Sequence, residues 1–125
     1  AVGLLARIFL GEDPRKSDAI RKGVALCTKL LPVWNTSDGS IDMYYWYYAS
    51  LAMFQVGGEP WKKWEAAMKP AIIDTQRRDG EYCLYKGSWD AIDAWGGDGG
   101  RVYSTAMLCM CLEVLYRYEL VPGTR

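Results

Sequence analysis

Residues 72–105 decide how we interpret this chain, and they read IIDTQRRDGEYCLYKGSWDAIDAWGGDGGRVYST. The opening of this stretch predicts the last turns of a helix that ends near Gln76. A loop rich in glycine and aspartate follows, and it carries Trp89 and Trp95. A new helix is expected to start near Arg101. The stretch indicates a fold built from helices and says little about a reaction.

Helical spacing of apolar residues continues outward from this stretch in both directions. We expect Pro14 in a first helical turn, Ser40 as an N-cap, and Pro70 as the site of a kink or a division. Glycines at position 11 and at positions 57–58 are expected to end helices. The sequence therefore predicts an all-α chain of about five main helices, at residues 1–10, 15–31, 41–56, 59–76 and 101–118.

The five helices differ in how they distribute their apolar residues. Those at 15–31 and 59–76 carry one charged face, which is typical of helices on the outside. The helix at 41–56 contains consecutive aromatic residues from Tyr44 to Tyr48. These side chains point in every direction around the helix, which predicts a buried inner helix. The first and last helices are also apolar on most sides, so the order is inner, outer, inner, outer, inner.

Similar short segments recur at matching places in the three inner helices. They read VGLLA at 2–6, YASLA at 48–52 and TAMLC at 105–109. Their spacing of roughly fifty residues is that of a helix-pair repeat. One pair cannot bury its apolar face alone, so neighbouring pairs must stack. We therefore expect consecutive α/α-hairpins in a single domain at residues 1–125.

A second pattern surrounds the loop and consists of Gln76, Asp79-Gly80, Gly87-Ser88-Trp89 and Gly100-Arg101-Val102-Tyr103-Ser104-Thr105-Ala106. It resembles the repeat of the squalene cyclase and prenyltransferase superfamily, whose members form α/α toroids. In that repeat a glutamine closes an outer helix, Asp-Gly turns, and a tryptophan packs before the next inner helix. The likeness covers residues 41–118 well and 1–31 weakly, and it extends to bacterial proteins that bear this repeat. The chain departs from the pattern by inserting residues 81–86.

The resemblance implies a structural role for Gln76, Gly80, Trp89 and Tyr103. A glutamine at a helix C-terminus can donate to carbonyls that lack a partner, and an indole stacked on its amide would shield those bonds from water. We therefore expect Gln76 and Trp89 to join an outer helix to the next inner one.

The activities of that superfamily do not transfer to this chain residue by residue. Its cyclases protonate an isoprenoid with an Asp-rich motif, and the nearest features here are Asp90-x-x-Asp93 and Ser40-Ile41-Asp42, which do not match it. Its protein prenyltransferases hold zinc with Asp, Cys and His, and this chain has no histidine. We expect no catalytic residue to carry over, no metal and no cofactor.

The loop at 90–100 is the main candidate for a site. Asp98 could cap the helix that follows it, and Asp90 could pair with Arg101. The three aspartates of the loop could instead gather around calcium, or serve a polar ligand or a reaction. The aromatic run could form core or line an apolar cavity whose ring faces attract cations. The candidate ligand-binding residues are Asp42, Tyr44, Tyr45, Trp46, Tyr48, Asp90, Asp93, Trp95, Asp98 and Arg101.

Composition excludes several classes of function. The formal net charge is zero, which argues against a nucleic-acid binder and against electrostatic attachment to an anionic membrane. No apolar run approaches the roughly 18 residues of a membrane span. The four cysteines are expected to be reduced and mostly buried thiols of a cytoplasmic protein. The chain starts without Met or a cationic lead, so we expect no signal peptide but the interior of a helix whose beginning is missing.

Two classes of function remain at this point. The first is a non-catalytic interaction or scaffold domain that forms a homodimer or completes a longer toroid chain, because five helices would leave an inner apolar surface uncovered. The alternative is part of a terpenoid-cyclase-like protein that binds an isoprenoid or another lipid in an aromatic-lined cavity. A polysaccharide-acting α/α toroid is a third interpretation.

Overall fold

The computed structural model describes residues 1–78 and 83–117. These residues form α-helices and one short 3-10 turn at Cys83–Tyr85, and they contain no strand. The all-α prediction is confirmed. The predicted structural role of Gly80 lies outside the described residues. The five helices are α1 (Val2–Phe9), α2 (Asp18–Lys29), α3 (Met43–Val56), α4 (Gly58–Ile73) and α5 (Gly96–Arg117).

The helices pack in two layers. Helix α3 contacts α1 on one side and α5 on the other, so these three helices form one layer. Helix α2 contacts α1 and α4, and α4 contacts α3, so α2 and α4 form the second layer. The alternation predicted from the apolar patterns is the alternation between these layers. None of the helices in the described part of the chain has the length and apolar character needed to cross a membrane.

Helix α3 lies at the centre of this arrangement because it is apolar around most of its circumference. Its buried side chains include Trp46, Ala49, Ala52 and Met53. The small residues at 49 and 52 allow neighbouring helices to approach closely, while the large ones fill the space between them. The indole of Trp64 in α4 donates to the Ser50 hydroxyl of α3 at 2.9 Å, which satisfies two buried polar groups across the layers.

The starts of α2 and α3 differ from the prediction. Helix α2 begins after Ser17, whose hydroxyl accepts from the Ile20 N–H, and Pro14 lies before it in a turn. Helix α3 begins after Asp42, whose carboxylate accepts from the Tyr45 N–H at 2.8 Å, so Ser40 is not its cap. A carboxylate at a helix N-terminus gains both the hydrogen bond and the favourable helix dipole, which a hydroxyl two residues earlier cannot supply.

Helix α4 is not divided at Pro70 but continues to Ile73. The carbonyl that the missing proline N–H would have bonded belongs to Ala66, an exposed residue at which water can serve as the donor.

Helix α5, in contrast, starts earlier than predicted and is interrupted at Gly100, where φ is +63° and ψ is −167°. A helical turn at 96–99 therefore precedes the long segment at 101–117, and the left-handed φ at the break favours glycine.

A set of interlocking bonds connects the end of α4 to the start of α5, and we call Gln76, Arg77, Trp89, Asp90 and Arg101 the clasp. Trp89 is 2% exposed, and its indole N–H donates to the Ile72 carbonyl at 2.7 Å. Gln76 donates instead to the Gly87 carbonyl at 2.9 Å. The prediction that glutamine closes the helix was therefore wrong in detail. The Ile72 carbonyl near the end of α4 accepts from the Trp89 indole and from the Thr75 hydroxyl, and glutamine bonds the loop.

Candidate functional site

An open cleft lies between the N-terminal ends of α3 and α5. It has a volume of about 580 Å³ and is lined by Tyr44, Trp95, Asp98, Gly99 and Tyr103. We call it the aromatic cleft. Trp95 is 52% exposed and Tyr44 is 42% exposed, so large ring faces border the open space. Three of the predicted ligand-binding residues, Tyr44, Trp95 and Asp98, line this cleft together.

Tyr44 enters the cleft from the first turn of α3. Its ring centroid lies 4.6 Å from that of Tyr48 one turn later, and Tyr48 in turn lies 5.1 Å from Tyr47. These tilted ring contacts restrict the Tyr44 side chain although it is partly exposed. The hydroxyl of Tyr48, with burial and nearby charges including Asp42, raises the pKa of Tyr44.

Trp95 enters the cleft from the loop just before the first turn of α5. The Gly96 N–H donates to the Asp93 carbonyl and the Gly99 N–H donates to the Trp95 carbonyl, so the backbone on both sides of Trp95 is bonded. Its ring centroid lies 6.3 Å from that of Tyr44, with the planes inclined at 53°. The two rings therefore form a corner rather than a closed stack, and both keep a face toward solvent.

Glycine at position 99 determines how closely the ring of Tyr103 lies against the start of α5. A Cβ at this position would meet Cγ of Tyr103 at 2.5 Å and its Cβ at 2.6 Å. Neither atom is the movable end of the side chain, so any larger residue would displace the ring. Gly99 thus gives Tyr103 its place in the wall of the cleft.

Asp93 and the hydroxyl of Tyr103 form a buried polar pair beside the cleft. Asp93 is 8% exposed, and its Oδ2 accepts from the Met43 N–H at the start of α3 at 3.2 Å. Its Oδ1 and the Tyr103 hydroxyl are both buried without a hydrogen-bond partner among the described atoms. Buried polar atoms without partners are uncommon in folded proteins, so this pair is unusual within the structure.

Burial is the main cause of altered pKa values in this pair. It raises the pKa of the Asp93 carboxyl, and the charge of Asp42 raises it further, while the bond from Met43 opposes the change. Burial and the charges of Asp93 and Asp42 raise the pKa of Tyr103 to about 12. The Tyr103 hydroxyl is close enough to Asp93 to affect its pKa, yet the two do not meet in a hydrogen bond of normal geometry.

Two of the predicted ligand residues point away from the aromatic cleft. Trp46 is 2% exposed and its ring centroid lies 6.1 Å from that of Trp34, so it belongs to the core. Tyr45 packs edge-on against Trp64 and donates its hydroxyl to the Leu30 carbonyl at 3.0 Å. Burial raises the pKa of Tyr45. A helix places successive residues about 100° apart, so neighbours of Tyr44 necessarily face other parts of the fold.

Asp90 and Arg101 belong to the clasp and not to the cleft lining. Asp90 forms ion pairs with both Arg77 and Arg101, so the pair expected between Asp90 and Arg101 is present. The bond from Arg77 has the largest effect on the pKa of this carboxyl and lowers it. Burial raises the pKa, but the two guanidinium groups together hold it below the ordinary value. Arg101 also donates to the Ser88 hydroxyl at 2.9 Å and lies 4.3 Å from the Tyr85 ring centroid.

Asp98 does not cap the long segment of α5, contrary to the expectation. It lies inside the helical turn at 96–99, where its exposed side chain borders the cleft. Sequence reasoning missed Gly99 as a site residue and assigned Tyr103 to structure alone. The available signal was the glycine-rich segment GGDGG at 96–100. Its Gly99 lies four residues before Tyr103, the spacing at which two residues are neighbours on a helix.

The described cysteines and carboxylates do not form a metal site. Within residues 1–78 and 83–117 no group of three His, Cys, Asp or Glu residues is placed to hold a metal ion. Cys27, Cys109 and Cys111 are free, with Cys109 exposed and the other two buried. Comparison with family models, curated proteins and solved structures finds no match for this chain.

Proposed function

We propose that this chain is a non-catalytic binding domain, and that its aromatic cleft takes a small ligand with an apolar body. The observation that carries this proposal is the pair of exposed ring faces, Tyr44 and Trp95, at an open space of about 580 Å³. Small-molecule sites occupy about 300–1,000 Å³ and combine apolar walls with few polar groups. Covering these faces would remove apolar surface from water, at about 25 cal/mol per Å².

The ligand could be an isoprenoid or another lipid, in keeping with the resemblance to the squalene cyclase and prenyltransferase superfamily. The layered order of the helices supports a place for this domain in an α/α toroid, as that resemblance implies. A binding role without catalysis is favoured because the buried carboxylate nearest the cleft, Asp93, already bonds the N-terminus of α3.

Fluorine NMR of protein labelled with fluorotryptophan tests this proposal. The chain has six tryptophans, and the signal of Trp95 is identified as the one missing from the Trp95→Phe variant. Protein is titrated with farnesol, a fatty acid and indole, and at least one of them is expected to move the Trp95 signal saturably. The signal of Trp64, which is fully buried in the core, serves as the control and is expected to stay in place. If no compound moves the Trp95 signal, the proposal is wrong.

A second candidate function is self-association through the outer face of α5. The exposed residues Val102, Ala106, Cys109, Glu113 and Tyr116 recur at helical spacing along this face. Val102 is 82% exposed and Tyr116 is 89% exposed, which is a high exposure for large apolar side chains. Such a stripe is typical of a helix that packs against another helix, here the same face of a second copy.

Light scattering coupled to gel filtration tests self-association. Wild-type protein is expected to have twice the mass of the chain, and the double variant Val102→Glu, Tyr116→Glu is expected to be a folded monomer. Lys63→Glu is the matched control, since it makes the same change in net charge at an exposed residue of α4, outside the stripe. A folded wild-type monomer at all accessible concentrations contradicts this second function and leaves the cleft untouched.

A further inference from the structure

We infer that the ligand of the aromatic cleft is an organic cation, whose trialkylammonium or protonated amine group lies among Tyr44, Trp95 and Tyr103. This inference rests on the proposed binding role of the cleft and names the class of ligand.

The arrangement of the rings suits a cation. Tyr44 and Trp95 meet at 53° with centroids 6.3 Å apart, and Tyr103 lines the same space. A cation is attracted to the negative face of an aromatic ring when it lies within about 6 Å of the centroid. Because the first two rings form a corner, one methylated ammonium group can lie over a face of each.

The charges around the cleft also favour a cation. Asp98 lines it, and Asp42 and Asp93 lie at the adjacent start of α3. The nearest arginine in the sequence, Arg101, points to the clasp, where it pairs with Asp90. The helix N-termini of α3 and α5 oppose this effect, since each is equivalent to roughly half a positive charge. Three carboxylates outweigh two such partial charges.

The direction in which the pKa values of the two tyrosines are altered agrees with a negative potential at this wall. Asp93 and Asp42 both add to the effect of burial in raising the pKa of Tyr103. Asp42 contributes in the same direction to the raised pKa of Tyr44. The same field that disfavours a phenolate stabilises a positive charge placed against these rings.

The aspartates are better placed to supply this field than to bind a metal ion. Asp42 Oδ1 bonds the Tyr45 N–H and Asp93 Oδ2 bonds the Met43 N–H, so both are directed at the backbone of α3. A soft, weakly hydrated organic cation needs the ring faces and the field but no inner ring of oxygen ligands.

Paired titrations with choline and dimethylbutanol test the inference. Dimethylbutanol is the neutral isostere of choline, in which carbon replaces the ammonium nitrogen, so the pair differs in charge and not in shape. The readout is the fluorine signal of Trp95 in labelled protein, at low ionic strength. We expect choline to bind at least about fivefold more tightly than dimethylbutanol, the ratio that a cation–π contribution of this kind gives.

Two variants extend this test. Asp98→Asn is expected to weaken choline binding about two- to threefold, because the carboxylate is exposed and its field is partly screened by solvent and salt. Glu113→Gln is its control, the same change of charge roughly 18 Å along the axis from the start of the segment at 101–117. It is expected to bind choline as the wild type does. Neither change affects dimethylbutanol binding if charge is the cause.

The outcomes separate the inference from the function on which it rests. Equal binding of choline and dimethylbutanol overturns the inference and leaves the cleft as a site for neutral ligands. Tighter binding of dimethylbutanol does the same. If farnesol, fatty acid, indole, choline and dimethylbutanol all leave the Trp95 signal in place, the proposed function fails and the inference fails with it.

Discussion

The clasp and the aromatic cleft are built from the same loop, and they differ in how their polar groups are satisfied. In the clasp, the Trp89 indole, the Gln76 amide and the Asp90 carboxylate all bond partners within the chain. Beside the cleft, Asp93 Oδ1 and the Tyr103 hydroxyl are buried with no described partner, and in the cleft the rings of Tyr44 and Trp95 remain in contact with water. The bonded groups of the clasp stabilise the fold, whereas the exposed ring faces of the cleft are available to a ligand.

The largest effect is expected from Trp89→Ala. This change removes a fully packed indole together with its bond to the Ile72 carbonyl, so we expect a loss of about 3–5 kcal/mol in the free energy of unfolding. Trp95→Ala is the matched control at the cleft and is expected to cost less than about 1 kcal/mol. Urea unfolding followed by circular dichroism measures both. Equal losses would contradict the division between clasp and cleft.

Gly99→Ala is expected to destabilise by about 1–3 kcal/mol, because the added methyl overlaps the Tyr103 ring. It is also expected to abolish ligand-induced shifts of Trp95. Gly97→Ala is the control, since a Cβ there meets nothing within 4 Å. That control is expected to be neutral or to stabilise by up to about 1 kcal/mol, because alanine is the better helix former. Urea unfolding compares the two variants. If Gly99→Ala is as stable as the wild type, the position of the Tyr103 ring does not depend on this glycine.

Asp90→Asn tests how much charge contributes to the stability of the clasp. It is expected to lower the free energy of unfolding by about 1 kcal/mol near neutral pH, since the ion pairs are partly exposed. The pKa of Asp90 is lowered in the folded state. Its charge therefore stabilises fully above the unfolded-state pKa of about 3.9 and loses this effect as pH falls. The difference between wild type and variant should shrink in acid. If the difference in free energy of unfolding between wild type and variant, measured in urea, does not change with pH, an ionic contribution is excluded.

The smallest effect is expected from Asp93→Asn, with the opposite dependence on pH. The pKa of Asp93 is raised in the folded state, so its ionisation opposes folding as pH rises from the unfolded-state value through the folded one. Asparagine keeps an acceptor for the Met43 N–H and has no charge. The stability of the variant relative to wild type should therefore increase between about pH 3 and pH 7. A relative stability that instead falls over this range would exclude a raised Asp93 pKa.

Local spacing was sufficient to predict the helices and their layers. Apolar residues on one face or on all faces indicated the layer of each helix. They did not reveal how much of each helix is covered, since α1 exposes Phe9 and α5 exposes Val102. Opposite charges across the loop suggested the Asp90–Arg101 pair, and the resemblance to the cyclase and prenyltransferase repeat implied the role of Trp89 in the join between α4 and α5. Local spacing failed at boundaries where side chains compete, as at Asp42 and Ser40, or where exposure relieves the cost of a proline, as at Pro70.

The sequence by itself determined an all-α chain with an aromatic inner helix and a tryptophan-bearing loop before the last helix. Only the tertiary structure decided which aromatic rings share a cleft and which carboxylate is buried beside them. Tyr44 and Trp95 are distant in sequence, and Asp93 reaches the start of α3 from 50 residues away. Helical period sets which face a residue occupies but not which distant residue faces it, because that depends on how α3 and α5 pack.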